Sequence, residues 1–468
     1  MSMRKVVLSL PPLVFAASTA LAQPAGTAPS AHALPPPPAV SDAMLTPVPQ
    51  PKRVIATWDE ALGYLRARST DLRVALDQVL QAEAQTRTAL AAYLPTINAT
   101  GTYMHNFLTS TALQLTKDAA GNPAGVTTYT IPTENSLGGS IQLQQALINV
   151  QAFDLISIDE LGGDAAKLSV DDQKRTLLLG VANQIVSVVT AEREAEINRG
   201  GLRVALQQAE ITSRKQALGA ANGLDVVRAK QNAANARAAL VTGDEALREA
   251  REALGLALGI PEETGVAPDI NVDGMVQSAM ASCRVAPSVD DRADVAAAHT
   301  KLQAAKRSLR NVYFQFLPTV YAQSAVSTTS QNTGFAPSTT WNIQGILSVP
   351  IWDGGARYGA LRSARAAEDI ASQQLEALRR QAIVQVEQAQ RQLLVAEQSA
   401  VVAREQRDLA AQNDNMTQAA YMAGQGTSLE LVTASEAHRQ AELNLTLQEF
   451  TVVKARVLAM LALASCPW

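Results

Sequence analysis

The sequence predicts a mostly α-helical chain with a small β part, arranged as two copies of one unit in which long helices flank a β-hairpin. Three observations carry this reading. Prolines are absent between Pro51 and Pro95, Pro132 and Pro261, Pro287 and Pro318, and Pro350 and Pro467. A proline inside a helix costs about 3 kcal/mol, so these gaps are where long helices fit. Within the gaps, apolar residues recur at spacings of three and four. In the proline clusters the spacing changes to two, each time at Leu-Pro-Thr: "YLPTINATGTYMHN" at 93–106 and "FLPTVYAQSAVSTTS" at 316–330.

At the N-terminus, Arg4 and Lys5 precede the apolar run Val6–Ala17 and a small-x-small site, Ala20-Leu21-Ala22. This is the pattern of a signal peptide over 1–22, and the run is shorter than the roughly 20 residues a membrane span needs. No cysteine lies near the cleavage site, which argues against a lipid anchor. Residues 23–53 follow as a leader; eleven of the 21 prolines fall within residues 1–51, so the segment reads as disordered or extended.

The first repeat is placed at 54–265, with strands near 94–106 and 137–149. A linker at 266–291 leads to the second repeat at 292–464, with strands near 318–328 and 341–351. Three blocks recur in order: "TALAAYLPTINATGTY" with "SLRNVYFQFLPTVYAQSAV", "GSIQLQQALIN" with "IQGILSVPIWD", and "LGAANGLDVVRAKQNAANARAAL" with "MAGQGTSLELVTASEAHRQAEL". Pro95 and Pro318 mark the strand starts, because proline ends the preceding helix and is tolerated at a strand's first position. Between paired strands, "KDAAGNPAGVTTYTIPTEN" and "QNTGFAPSTT" read as solvent-exposed loops.

In the second half, Ala382, Val386, Ala389, Leu393, Ala396, Ala400 and Ala403 form a heptad seam with alanine knobs. A second stripe, Val395, Val402 and Leu409, implies partners on two sides. A single helix over 354–423 would reach about 105 Å. The last helix has a seam of Leu443, Leu447, Phe450, Val457, Leu461 and Ala464, interrupted by Lys454. Aromatics are only 4% of the chain, which fits helices packed through small side chains.

Composition excludes several functions. The net charge is -4, with no clustered basic excess, so nucleic acid is not expected as a partner. His32, His105, His299 and His438 lack metal-ligand spacing, and no metal or cofactor is expected. Gly424-Gln425-Gly426 has no preceding strand and reads as a helix–helix turn rather than a phosphate loop. No nucleophile–base arrangement has local support, so the chain is not read as an enzyme. The two cysteines, Cys283 and Cys466, allow one disulfide in an oxidising compartment.

Each candidate strand is about 9–12 residues, the length of a tilted membrane strand. Lipid cannot satisfy an open sheet edge, and known membrane barrels start at about eight strands. Four strands per chain therefore call for several protomers; closure alone allows a dimer. A secreted coiled-coil structural or adhesion protein would share the helix seams but has no use for these strands.

The segments "RADVAAAHTKLQAAKRSLRNVYFQFLPTV" (292–320), "LSVPIWDGGARYGALRSA" (347–364), "YMAGQGTSLELVTASEAH" (421–438) and "EALREAREALGLALGI" (245–260) resemble the TolC-like outer-membrane efflux family. With the duplication, the resemblance covers nearly all of 54–464. It implies a homotrimer with a twelve-stranded β-barrel in outer-membrane lipid, continued by an α-helical periplasmic barrel. It also implies a periplasmic adaptor and an inner-membrane pump as partners, with this chain as a passive duct. One departure is visible: Ile148-Asn149-Val150-Gln151 stands where the second half has Trp352-Asp353-Gly354-Gly355, so the first strand-to-helix corner is expected to be built differently.

The family's tube closes at the turns between paired helices, here 217–229 and 422–434. Aligning them sets Asp225 opposite Glu430, Gly219 opposite Gly424 and Gln216 opposite Tyr421. The resemblance implies that the two acids and Tyr421 contribute to the closed tip and meet the adaptor there. In a trimer each acid recurs as a ring of three. Helix capping competes as an explanation, since Asn222 with Asp225 and Thr427 with Glu430 both have capping spacing, and both roles can hold together. Gly426 sits where some relatives carry Arg, which removes one basic partner for these acids. The resemblance also places Cys283 and Cys466 in the belt around the tube's middle, where they could meet as a disulfide.

Overall fold

The computed structural model describes residues 38–468 apart from 269, 271–273, 275, 276, 279, 280, 282, 332–336, 467 and 468. The expected signal peptide and the leader as far as residue 37 lie outside the described residues.

Two successions of the same elements run along the chain. In the first, α2 (Thr70–Ala91, 22 residues) leads through strands to α3 (Val150–Ala217, 68 residues) and α4 (Gly223–Ala257, 35 residues). In the second, α5 (Ala293–Phe314, 22 residues) leads through strands to α6 (Ala356–Met422, 67 residues) and α7 (Ser428–Leu461, 34 residues). The long helices extend about 100 Å at about 1.5 Å per residue. Each long helix packs against both shorter helices of its own half, and α3 also packs against α5 and α7 of the other. The two short helices together fall short of the long one, and a belt of small elements is built at that level.

The belt comprises α1 (Trp58–Arg68), a parallel pair of β1 (Arg53–Ile55) with β6 (Thr264–Val266), and an antiparallel pair of β7 (Arg284–Val285) with β10 (Ala464–Ser465). It carries the largest apolar cluster among the described residues: Ile55, Trp58, Leu65, Ile185, Leu254 and Leu461 are all at most 3% exposed. Arg292 is buried there as well, held by Asp294 and by Gln385 Oε1 at 3.1 Å. Burial alone would raise the pKa of Asp294, but the hydrogen bonds from Arg292 outweigh it and hold the carboxyl below its ordinary value. Gly255 admits close passage of the chain: a Cβ there would run into the Glu262 carbonyl oxygen and lie 2.9 Å from that of Ile260. Gly255→Ala is therefore expected to cost about 2–3 kcal/mol, read as a lower unfolding temperature in detergent; an unchanged temperature would show that the 259–263 turn yields freely.

Away from the belt the helices pack through alanine. Ala382, Ala389, Ala396, Ala400 and Ala403 are buried along α6, which packs on α7. The second stripe is uncovered in the single chain, with Val395, Val402 and Leu409 at 65%, 52% and 58% exposure. Lys454, which interrupts the α7 seam, donates to Ser187 Oγ at 3.0 Å. Burial lowers its pKa, against the opposing pull of Glu194.

One expectation from composition is refined and another is corrected. The leader is not free over its C-terminal part: Asp42 pairs with Arg237 at 2.8 Å, and Met44 and Leu45 pack on the Leu202–Leu240 cluster. The 1% exposed Arg251 donates to the Pro49 carbonyl at 2.9 Å and pairs with Glu192 at 2.9 Å. The connection read as a loop at 117–135 contains half of a ribbon, β3 (Ser110–Lys117) paired with β4 (Pro123–Ile131). Its turn is organised by Asp118, whose Oδ1 accepts from Ala120 N and Asn122 N, both at 2.9 Å.

Candidate functional site

The four long strands, β2 (Thr96–His105), β5 (Asn135–Ile148), β8 (Thr319–Thr329) and β9 (Thr339–Ser348), form one antiparallel sheet in the order β2-β5-β8-β9. Side chains alternate between faces, so the register sorts them. One face carries Ile97, Leu143 and Ile343 in one row and Ile141, Val326 and Trp341 in the next. Ile97, Ile141 and Ile343 stand 68%, 56% and 72% exposed, so this apolar face is uncovered. Near its end far from the long helices lie Tyr103, whose hydroxyl donates to Asn135 Oδ1 at 2.8 Å, and Trp341, whose indole donates to Ser324 Oγ at 3.0 Å. Aromatics with a satisfied polar tip suit a membrane–water boundary.

The opposite face carries Thr96, Gln144, Gln323 and Gln344 in one row, then Asn98, Gln142, Ala325 and Asn342, then Thr100, Ser140, Ser327 and Thr340. None of the four strands contains Asp, Glu, Lys or Arg. Among the described residues, strands β2 and β9 each have one edge with no neighbour. A sheet with an apolar face, a polar face and two free edges cannot rest in lipid alone; it needs equivalent sheets to close a cylinder.

Pro95 and Pro318 each stand immediately before a strand, after a helix capped in the αR conformation at Ala92 and Gln315. The two returning corners differ, and for a physical reason. In the second, Gly354 and Gly355 have φ of 69° and 92°, conformations that suit glycine. Asp353 accepts from Gly355 N at 3.1 Å and from Arg357 N and Nε at 3.0 and 2.8 Å. In the first, a register shift between Ala146 and Ile148 turns the strand, and Asn149 caps α3 by accepting from Ala152 N at 3.0 Å. An Asn cap and a bulge thus replace the glycines, and Gly162 and Gly163 lie inside the helix. Just below, the buried Asp154 receives Arg307 at 3.1 Å and Arg310 at 2.6 Å, tying α3 to α5. Burial works to raise its pKa, but the two arginines prevail and hold it low.

At the other end of the helices, Gly219 and Gly424 occupy matching positions past α3 and α6, with φ of 76° and 78°. Asn222 caps α4 by accepting from Asp225 N at 2.9 Å, and the Asp225 carboxylate lies 4.0 Å from Arg228. Thr427 and Glu430 form a complete capping box: Glu430 N donates to Thr427 Oγ1 at 3.2 Å, and Thr427 N donates to Glu430 Oε2 at 2.8 Å. That backbone hydrogen bond, followed by the one from the Thr427 side chain, lowers the pKa of Glu430. Glu430→Gln keeps the box and removes the charge, whereas Glu430→Ala removes both. The Gln variant is expected to keep the wild-type unfolding temperature while weakening any cation preference of the channel, and the Ala variant to lower both. An unchanged reversal potential in both would leave the carboxylate with capping alone.

Tyr421 is buried at 6% exposure between the two tips. Its ring lies 3.8 Å from Lys215 Nζ, its carbonyl accepts from that ammonium at 3.0 Å, and its hydroxyl is 3.4 Å from Thr212 Oγ1. Gln216, the repeat counterpart of Tyr421, is exposed; the contact to Tyr421 comes from Lys215, which the sequence pattern does not single out. In the belt, Cys283 and Cys466 are joined by a disulfide across a sequence separation of 183. Among the described residues no cluster of His, Cys, Asp or Glu could hold a metal ion, and no helix is long and apolar enough to cross a membrane.

A family model described as outer membrane efflux protein matches residues 61–260 and 288–458. Among solved structures, the chain is similar to CusC, with a TM-score of 0.72 and 19% identity over 91% of this chain and 98% of that one. It is similar to the CmeC outer membrane channel of Campylobacter jejuni, with a TM-score of 0.71 and 14% identity over 92% and 93%. The MtrE outer membrane channel of Neisseria gonorrhoeae, in its open state, gives 0.68 and 17% over 89% and 93%. At these identities the likeness is one of fold.

Proposed function

The chain belongs to the outer membrane efflux protein family and is an outer-membrane channel component of an efflux system; from that premise we propose how its parts serve as a passive duct. The family implies trimeric assembly with an adaptor and a pump. Three copies place twelve strands in a barrel, β2 of one protomer beside β9 of the next, with apolar faces to lipid and polar faces to the lumen. The α2–α4 and α5–α7 groups continue the wall as a tube through the periplasm, and the exposed Val395–Val402–Leu409 stripe meets the neighbouring protomer. A signal peptide at 1–22 directs export.

The tube closes at the tips, where Gly219, Gly424, Gln216 and Tyr421 shape the two turns and Asp225 and Glu430 recur as rings of three. The adaptor docks there and splays the hairpins, while the pump supplies energy and substrate. The observation that carries this reading is the open-edged, two-faced sheet at the head of helices about 100 Å long. Mature protein purified in detergent is expected to run as a trimer and to conduct in planar bilayers. A monomer that stays soluble without detergent would overturn the reading in favour of a secreted coiled-coil protein.

A further inference from the structure

Channels that sort ions do so with rings of like charge or of aligned dipoles along the wall. The wall described above has no charge. Its polar face instead presents six amides per protomer in two adjoining rows, Asn98, Gln142 and Asn342 in one and Gln144, Gln323 and Gln344 in the other. Among the described residues none of these amide groups is engaged by a protein partner, so both of their functions face the lumen. An amide offers a carbonyl acceptor and two N–H donors, and so solvates a cation, an anion or an uncharged polar group without preference of sign. The chain's charged side chains resume only beyond the strands, as at Asp353, Arg357 and Asp154 near the helix starts.

Resting on the channel reading above, we propose that the membrane-spanning part of the duct is a neutral amide sleeve. It passes polar solutes that are positive, negative or uncharged alike, selecting by size and hydrogen bonding, and any charge preference of the whole channel arises in the helical tube. The six amides are its specificity-determining residues, and their neutrality is the property that matters.

Adjacent positions of opposite facing allow a direct test. Gln323 faces the lumen, and Ser324, at the same depth, faces lipid. Cells or outer-membrane vesicles carrying full-length Gln323→Cys or Ser324→Cys are treated with methanethiosulfonates bearing either a trimethylammonium or a sulfonate group; the native cysteines are paired and do not compete. Gln323→Cys should react with both reagents, at a rate ratio matching that of a small free thiol, and Ser324→Cys should be protected. Gln344→Cys, on the same row, repeats the measurement if Gln323→Cys does not accumulate. A ring of three charges would displace the ratio on the order of tenfold. A displacement of that size at Gln323→Cys would overturn the neutral sleeve, as would labelling at Ser324→Cys alone, or at neither position in trimers that conduct. Labelling of both positions in a water-soluble monomer would instead defeat the channel reading itself.

Discussion

Replacing Lys215 with Met should raise the open probability of single channels in planar bilayers by about thirtyfold. The ammonium sits 3.8 Å from the Tyr421 ring and donates to the Tyr421 carbonyl at 3.0 Å, so one side chain joins the end of α3 to the end of α6. A partly desolvated cation–π contact with a charge-assisted hydrogen bond contributes about 2 kcal/mol, and about 1.4 kcal/mol is tenfold in an equilibrium. In the gate proposed above, opening parts the two tips of a protomer, so the lost contact shifts the closed–open balance directly. Lys215→Arg should restore closure, whereas Tyr421→Leu should reproduce the leak. Burial lowers the pKa of Lys215 from the ordinary value of 10.5. Equal open probability in wild-type, Lys215→Met and Tyr421→Leu would remove the latch from the gating scheme.

Removing the disulfide should have the largest effect on stability. Cys283 and Cys466 close a loop spanning 183 residues of sequence, which encloses the whole second succession of helices and strands. By loop entropy such a cross-link contributes about 5 kcal/mol, and measured losses in small domains run about 2–5 kcal/mol. Cys466 is fully buried beside Ile185, Leu254 and Leu461, so a serine there would add a polar penalty. The double variant Cys283→Ala with Cys466→Ala isolates the cross-link. It should unfold at a clearly lower temperature in detergent and expose the 461–466 end to protease, and reductant should move the wild type to the same point. Coincident unfolding of oxidised and reduced protein would show that the belt is held by packing alone.

The periodic parts of the fold were legible in sequence because their repeat is set by backbone geometry. The expected strands near 94–106, 137–149, 318–328 and 341–351 lie within a few residues of β2, β5, β8 and β9. The alanine knobs from Ala382 to Ala403 were readable from a spacing of three and four. What escaped depends on distant partners. Pro49 and Gln50 look free in a proline-rich leader, and only the fold brings Arg251 to them from about two hundred residues away. The β3–β4 ribbon was obscured by its turn residues, since Asp118 to Asn122 announce a loop without saying that the flanks pair. Lys215 escaped because aligning the two turns matches equivalent positions of the repeats and does not say which side chain crosses from one helix end to the other. At the tip, the spacing of Thr427 and Glu430 did reveal the capping box, a local device. The part proposed for Glu430 in closing the tube is a matter between protomers, which spacing does not encode.

The unpaired margins of β2 and β9 have a cost outside the finished channel. A newly exported protomer carries two strand edges ready to template pairing and a greasy face between them, the arrangement that drives aggregation. On the trimer proposed above, insertion into lipid and joining with sister chains are expected to be coupled, so that these edges do not linger unpaired. Substitutions deep in the periplasmic helices that slow subunits from finding each other will thus register first as lost outer-membrane yield and as clumped precursor, before any defect in transport is seen.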